Sequence, residues 1–390
     1  MFNRRNIFEI ASAIAGLAVA GGSKTAEAKS GLLPIDITPR GEVGHLKRLP
    51  TVDLESKHDF LTGMMQFINS DVSKASRERM NKLAKVAGYE ANQDVPIEAA
   101  HKIFGEDPVV NTRLRMWSSV HNHEHYLLDE AFHADGDAYL AEMEAAEKVG
   151  PGSIKLDPSL KIPEYCRYEI HQQPGGYCGN PFAGHIYHYA TNQFYRGAND
   201  QDERHLGYAK DCPSPADGKV LRILDLGCGI GQLATSMKNR FPNAEVHAID
   251  VAAPMIRYGH MRAVDMGSEI HFKQALAENT GYPDGHFDIV ISYILFHEVT
   301  KEAAPKIISE VGRILRPGGV FYPMDFNHVP APQPSRIYNT WLDHRWNSEP
   351  WRLQWVGVDV DAAMRQAGLV PDNKSTAGQT FGKITGTKSA

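Results

Sequence analysis

Residues Leu221-Arg222-Ile223-Leu224-Asp225-Leu226-Gly227-Cys228-Gly229-Ile230-Gly231 constrain this chain more than any other stretch. An apolar run ends on an acid and then on three glycines at alternate positions, and a helix-compatible stretch, Gln232 to Arg240, follows at once. Glycine at those positions permits positive φ in a tight turn and lets a ligand lie against bare backbone. Nineteen residues after Gly231, a second short strand pattern (Glu245 to Ile249) ends at Asp250. A carboxylate at the tip of the second strand of such a unit is placed to hold a nucleotide ribose.

Glycine spacing decides which nucleotide. The dinucleotide fingerprint G-x-G-x-x-G needs glycine at position 232, which is Gln232. The pattern present is D-x-G-x-G-x-G, which resembles motif I of the class I S-adenosylmethionine (SAM)-dependent methyltransferases. Further matches follow in order, over roughly Asp211 to the C-terminus. Gln274 to Asp288 is similar to the family's segment after the third strand. Ile289 to Tyr293 reads as a fourth strand buried on both faces. Ile294-Leu295-Phe296-His297-Glu298 resembles the element after it, Leu315 to Val320 the helix stop before the fifth strand, and Ala367-Gly368-Leu369-Val370 the corner before the last antiparallel pair. The resemblance implies a doubly wound, mostly parallel, seven-stranded α/β sheet of the Rossmann-like methyltransferase type over residues 212–390. It implies SAM as cofactor, with Gly227, Gly229 and Gly231 forming the turn, Asp225 receiving the methionine amino group and Asp250 the ribose hydroxyls. The alternative for each acid is a helix cap. Met255 packs on the adenine or belongs to the core. The family commonly places an acid where this chain has Leu276, which leaves the adenine to backbone near Ala277 or to Glu278.

The N-terminus, Asn3-Arg4-Arg5-Asn6-Ile7-Phe8, is followed by an uncharged Ala-rich run from Ile10 to Ser23 and an A-x-A site at Ala26-Glu27-Ala28. This resembles a twin-arginine export signal over residues 1–28; the alternative is an amphipathic helix. Export to the periplasm conflicts with the cytosolic supply of SAM, so a cytoplasmic location stays open. Among Cys166, Cys178, Cys212 and Cys228, the last reads as a free thiol in the turn, and the other three can supply one disulfide in an oxidising compartment. A net charge of −6 gives no basic footprint for nucleic acid, and no stretch is long and apolar enough for a mature membrane span.

Residues 29–57 read as an extended arm. Residues 58–150 carry helical periodicity: Phe60, Leu61, Met64, Met65, Phe67 and Ile68; Met80, Leu83 and Val86, stopped by Gly88; Ile97, Ala100 and Phe104 after Pro96; Val110, Leu114, Trp117, Leu128 and Phe132 after Asp107-Pro108. They are expected to form a separate helical domain, of the kind that dimerises or lids the substrate pocket in related methyltransferases. His121 and His125 share one face of the last helix, but a third metal ligand is not identifiable, so they read as a polar patch facing an interface or solvent. No metal is assigned. Residues 151–211 read as a loop-rich connector, in which Gly184 to Tyr195 either orients the acceptor or packs as core.

Methyl transfer from a sulfonium needs alignment and removal of a proton from the acceptor. His297, at the end of the fourth strand, is the candidate general base, with Glu298 to orient it; the alternative is a structural histidine. Trp341, Trp346, Trp351 and Trp355 either wall the acceptor pocket or pack an extra helix. These readings give a SAM-dependent methyltransferase (EC 2.1.1 type) acting on a small aromatic or lipophilic acceptor, through O, N or C. The alternatives are a non-catalytic SAM-binding scaffold and a nicotinamide-dependent oxidoreductase. A homodimer through the helical segment is the expected assembly.

Overall fold

The computed structural model describes residues 46–328, 330–376, 379–382 and 384–389. The signal reading of residues 1–28 lies outside them, as does most of the arm. Within the remainder of the arm, helix has already begun at Val52, where Thr51 caps Val52–Phe67 by accepting from the Leu54 N–H.

The strands are β1 (Ser153–Lys155), β2 (Arg222–Leu226), β3 (Glu245–Asp250), β4 (Ile270–Gln274), β5 (Phe287–Tyr293), β6 (Leu315–Met324), β7 (Leu369–Asn373) and β8 (Ile384–Lys388). They form one sheet of eight strands in the order β1-β4-β3-β2-β5-β6-β8-β7. Strands β1 to β6 pair in parallel, and β8 runs antiparallel between β6 and β7. Seven strands were expected. The eighth is the short β1, contributed by the connector and paired to the outer edge of β4. The Arg316–Gly319 turn, expected before the fifth strand, lies inside β6, where pairing to β5 jumps from Leu315 to Val320.

β2 and β5 are buried along almost their whole length because both faces are covered. Leu224, Val290 and Phe321 face a layer that includes the helix Ala303–Ile314 and Trp355. Ile223, Val246 and Ile289 face the other side, against Leu233, Met237 and Ile256.

The N-terminal helices are where periodicity puts them, yet they do not form a compact unit apart from the sheet: the described residues fall in one unit. The physical reason is shared cores. Met143 and Ala146 pack with Ile230, Met255 and Tyr258 of the sheet-flanking layer. Phe104, Val110 and Leu114 pack with Tyr338 and Leu342, which follow β6. The connector is also more ordered than its composition suggests, because it contains the helices Ala183–Phe194 and Glu203–Asp211.

Candidate active site

The sheet order changes direction between β2 and β5, and the loops leaving these strands open into one cleft. Open α/β sheets place ligands at such a switch point. The cleft, about 120 Å³, is lined by Asp225, Gly227, Gly229, Asp250, Met255 and Glu298 among others. Gly227 and Gly229 have φ of 69° and 53°, conformations that an L side chain rarely adopts. Gly231 (φ 72°) does not line the cleft. It starts the helix Gln232–Arg240, and a Cβ there would sit 2.7 Å from the Phe272 ring. Ala277 and Leu276 line a neighbouring recess of about 60 Å³ that shares Gly227 and Asp250 with the cleft. Glu278 is engaged at its rim by the Tyr165 hydroxyl, which donates to it.

The two acids differ in their surroundings. Asp250 accepts from the Gly229 N–H and the Ala252 N–H, each at 2.9 Å. Burial still lifts its carboxyl to about 6 against those bonds. Asp225 is almost fully buried, and neither of its oxygens has a hydrogen-bond partner of ordinary geometry. Burial pushes it up to about 8; the nearby Ala234 amide offsets this in part and the Asp250 charge adds to it. A buried acid without donors is costly to the free protein.

A second cavity, about 290 Å³, adjoins the first: Tyr177, Tyr187, Ile294 and Glu298 line both. Ile294 holds φ at 55°, an outlier for a β-branched residue, and its N–H donates to the Met324 carbonyl at 2.7 Å. Trp117, Tyr195 and Phe326 contribute aromatic walls to this chamber, and His297 lines it beside Glu298. The His297 Nδ1 lies 2.8 Å from Asp325 Oδ1, and the other Asp325 oxygen accepts from the Phe296 N–H. Asp325 therefore fixes the ring with Nδ1 as the donor and Nε2 as the free base position. Burial works against a charged His297, but the Asp325 carboxylate outweighs it and holds the ring above the ordinary histidine range.

The methyltransferase-domain family profile matches residues 223–319. A demethylmenaquinone methyltransferase of Thermus thermophilus is 35% identical over 121 residues, covering 31% of this chain and 54% of that protein. A ubiquinone/menaquinone biosynthesis C-methyltransferase of Vibrio campbellii is 31% identical over 180 residues, covering 41% of this chain and 67% of that protein. The chain belongs to the class I SAM-dependent methyltransferases. It spans about half to two thirds of the length of the curated relatives it matches. Among solved structures, a phosphoethanolamine N-methyltransferase 2 of Haemonchus contortus in complex with S-adenosyl-L-methionine aligns over 48% of this chain and 53% of that one. Its TM-score is 0.39 at 15% identity.

The cofactor of this family is S-adenosylmethionine, and the cleft suits it on its own features. Asp225 offers two donor-less oxygens to an ammonium group, and bare backbone at Gly229 has Met255 as its nearest side-chain contact, 3.6 Å from where a Cβ would be. Helix Ala183–Phe194 has a buried face and a chamber face: His185, Ile186 and Tyr189 are buried, while Tyr187, Thr191 and Phe194 line the chamber.

The tryptophan expectation resolves toward packing. Trp355 stacks on Phe296 in the sheet core, Trp341 stacks on Tyr338, Trp351 meets Tyr165 and Tyr168, and Trp346 lies at a different cavity. Trp117, from the N-terminal helices, walls the chamber instead. His121 and His125 are buried there rather than solvent-facing: His121 Nε2 donates to the His171 carbonyl at 2.7 Å, and His125 Nδ1 to the His121 carbonyl at 3.0 Å. Among the described residues no group of His, Cys, Asp or Glu is arranged to hold a metal ion. All four cysteines are unbridged. The sequence reading missed Asp325, His171, Glu349 and Tyr177. Of these only Asp325 carries a readable signal, an acid directly after an apolar strand.

Proposed function

We propose that this methyltransferase acts on a small aromatic acceptor bearing a dissociable proton, bound in the chamber beside His297, with Asp225, Gly227, Gly229 and Asp250 holding the cofactor. The observation that carries this reading is the shared wall: Tyr177, Tyr187, Ile294 and Glu298 face both cavities, so an acceptor in one abuts a cofactor in the other. When bound, SAM supplies an electrophilic methyl group on a sulfonium that leaves as a neutral thioether. The residues supply the rest. Asp225 pairs with the amino group, Asp250 accepts from the ribose, and Met255 packs on the base, with backbone near Ala277 at its edge. His297 Nε2, in the neutral ring oriented by Asp325, takes the acceptor proton. The aromatic walls orient a flat ring for in-line attack.

The names of the curated relatives, demethylmenaquinone methyltransferase and ubiquinone/menaquinone biosynthesis C-methyltransferase, support a quinol-type ring as the first acceptor to try. The test is incubation with methyl-labelled SAM and a panel of hydroquinones, phenols and aromatic amines. Label should pass to a ring-bearing acceptor. His297→Gln should lower transfer by about 10² or more while leaving SAM affinity within a few-fold. Transfer unchanged in that variant rejects the base assignment. Export by the twin-arginine route and dimerisation through the N-terminal helices complete the proposal. Sequencing the mature N-terminus and light scattering test them.

A further inference from the structure

His171 sits on the connector, outside the stretch that matches the methyltransferase family. It has φ 57° and ψ 17°, and Gln172 beside it also has φ 57°. Two consecutive non-glycine residues in the left-handed region are held there only when their surroundings compel it. The surroundings are specific. His171 Nε2 lies 3.2 Å from Glu298 Oε1, and its Nδ1 lies 3.2 Å from Glu349 Oε1. Its carbonyl takes the His121 bond, and the Gln172 side chain donates to the Trp346 carbonyl. Two carboxylates on opposite sides of one imidazole call for donors at both nitrogens, that is, for the cationic ring. Burial opposes that charge, but Glu349 and then Glu298 reverse it and lift the ring to about 9.

Glu298 has two histidines within reach. Its Oε1 is 3.2 Å from His171 Nε2 and 3.8 Å from His297 Nε2. We infer that His171 is a positioning residue: by holding Glu298 and Glu349, it keeps Glu298 off the His297 nitrogen that faces the acceptor. Without His171, Glu298 turns to His297, pairs with Nε2 and stabilises its protonated form, which masks the base. The other groups around this pair do not substitute for His171. His121 and His125, on the helix Pro108–Ala134, are both pushed toward the neutral form by burial, and Asp325 is committed to Nδ1 of His297. Arg352 is paired with Asp343, Arg113 donates to the Ser73 hydroxyl, and burial followed by the Glu298 charge keeps Tyr177 neutral.

The inference rests on His297 being the base, and its test is read apart from transfer. Titration of labelled histidine ring carbons by NMR gives the two midpoints in the whole protein, assigned with His297→Asn. His171→Asn, which tolerates the left-handed backbone, should raise the His297 midpoint by about one pH unit. Adding Glu298→Gln should return it close to the wild-type value. Glu298→Gln alone should lower the His171 midpoint by more than it lowers that of His297, a leg that holds even if the His171 variant does not fold. A His297 midpoint that stays put in His171→Asn, or is not recovered in the double variant, overturns the inference. So does a single Glu298→Gln that moves His297 more than His171. If transfer survives His297→Gln while these midpoints move as stated, the base assignment fails and the competition for Glu298 stands.

Discussion

Asp225 and Asp250 end neighbouring parallel strands and line one cleft, yet only Asp250 is fed by backbone donors. Asp225 is the more buried of the two and has no hydrogen-bond partner of ordinary geometry at either oxygen. Asp250 thus braces the loop, whereas Asp225 does not.

Asp225→Asn should therefore separate binding from stability. Removing a buried, donor-less acid is neutral or stabilising for the free protein, while SAM affinity should fall about tenfold or more with the loss of a charge-assisted bond. The sign with pH follows. The folded carboxyl, at about 8, holds its proton more tightly than the unfolded one. The free protein thus loses stability as pH rises from about 4 through 8, the interval between the two. Thermal melts across that range should show a flatter profile for the variant, and calorimetry should show the weaker binding. A variant that melts earlier and binds normally assigns Asp225 to the fold instead.

The same acid predicts a proton count. At pH 6.5 the free Asp225 is mostly protonated, and pairing with the cofactor's ammonium group ionises it. SAM binding should then release close to one proton, read by calorimetry in two buffers of different ionisation enthalpy. Asp225→Asn should lose most of that release.

Asp250→Ala and Asp250→Asn should part company. Alanine deletes the acceptor for both the Gly229 and Ala252 N–H groups and should cost about 1–3 kcal/mol of stability. Asparagine retains one carbonyl acceptor and should melt closer to wild type. Both should bind SAM more weakly, since each loses the carboxylate for the ribose. Melting curves that coincide for the two variants would remove the loop-bracing role.

Much of this cleft is legible in the sequence because it is local. A strand, an acid, three glycines and a second strand with an acid at its tip are contiguous patterns, and the backbone needs of the Gly227 turn select the residue type. The chamber is not legible in that way. Trp117, His171, His297 and Glu349 come from a helix, a connector, a strand end and a late loop, and nothing in their spacing predicts that they meet. His171 looks ordinary in sequence, and its importance lies in a backbone angle and two distant carboxylates. The tryptophans after β6 mislead for the converse reason: aromatic residues clustered in sequence are satisfied here by separate cores. The helical segment reads correctly as helix, while its merger with the sheet depends on inter-element packing such as Met143 against Met255.

Gly227→Ala tests the turn itself. The new Cβ would lie 2.7 Å from Leu295 Cδ1 on a backbone with φ of 69°. Leu295 lines both the cleft and the recess beside Ala277, so its displacement should carry into the cofactor site. The expected result is SAM affinity lowered about tenfold and a melting temperature lowered by several degrees, from about 1 kcal/mol or more of left-handed strain. Adding Leu295→Ala relieves the contact but not the strain. Recovery of affinity without recovery of stability is the expected signature, measured by calorimetry and thermal melts on the two variants.

The last prediction concerns the rate. His297 accepts a proton only when neutral, and Asp325 holds its ring above the ordinary histidine range. With an acceptor identified, kcat/KM should rise with pH through a midpoint above about 6.5, the free-enzyme value for that ring. Asp325→Asn removes the charge that favours the protonated ring, so the rising limb should move to lower pH. The plateau should fall as well, because an asparagine can present its amide rather than its oxygen to Nδ1 and leave the wrong nitrogen free. A limb moving down in pH while the maximum drops is the combined outcome expected of a base with a dedicated orienting partner. A limb that stays fixed, with only the maximum changed, would mean that the titrating group lies elsewhere, and the carboxylates lining the chamber beside it, Glu298 and Glu349, would be the next to vary.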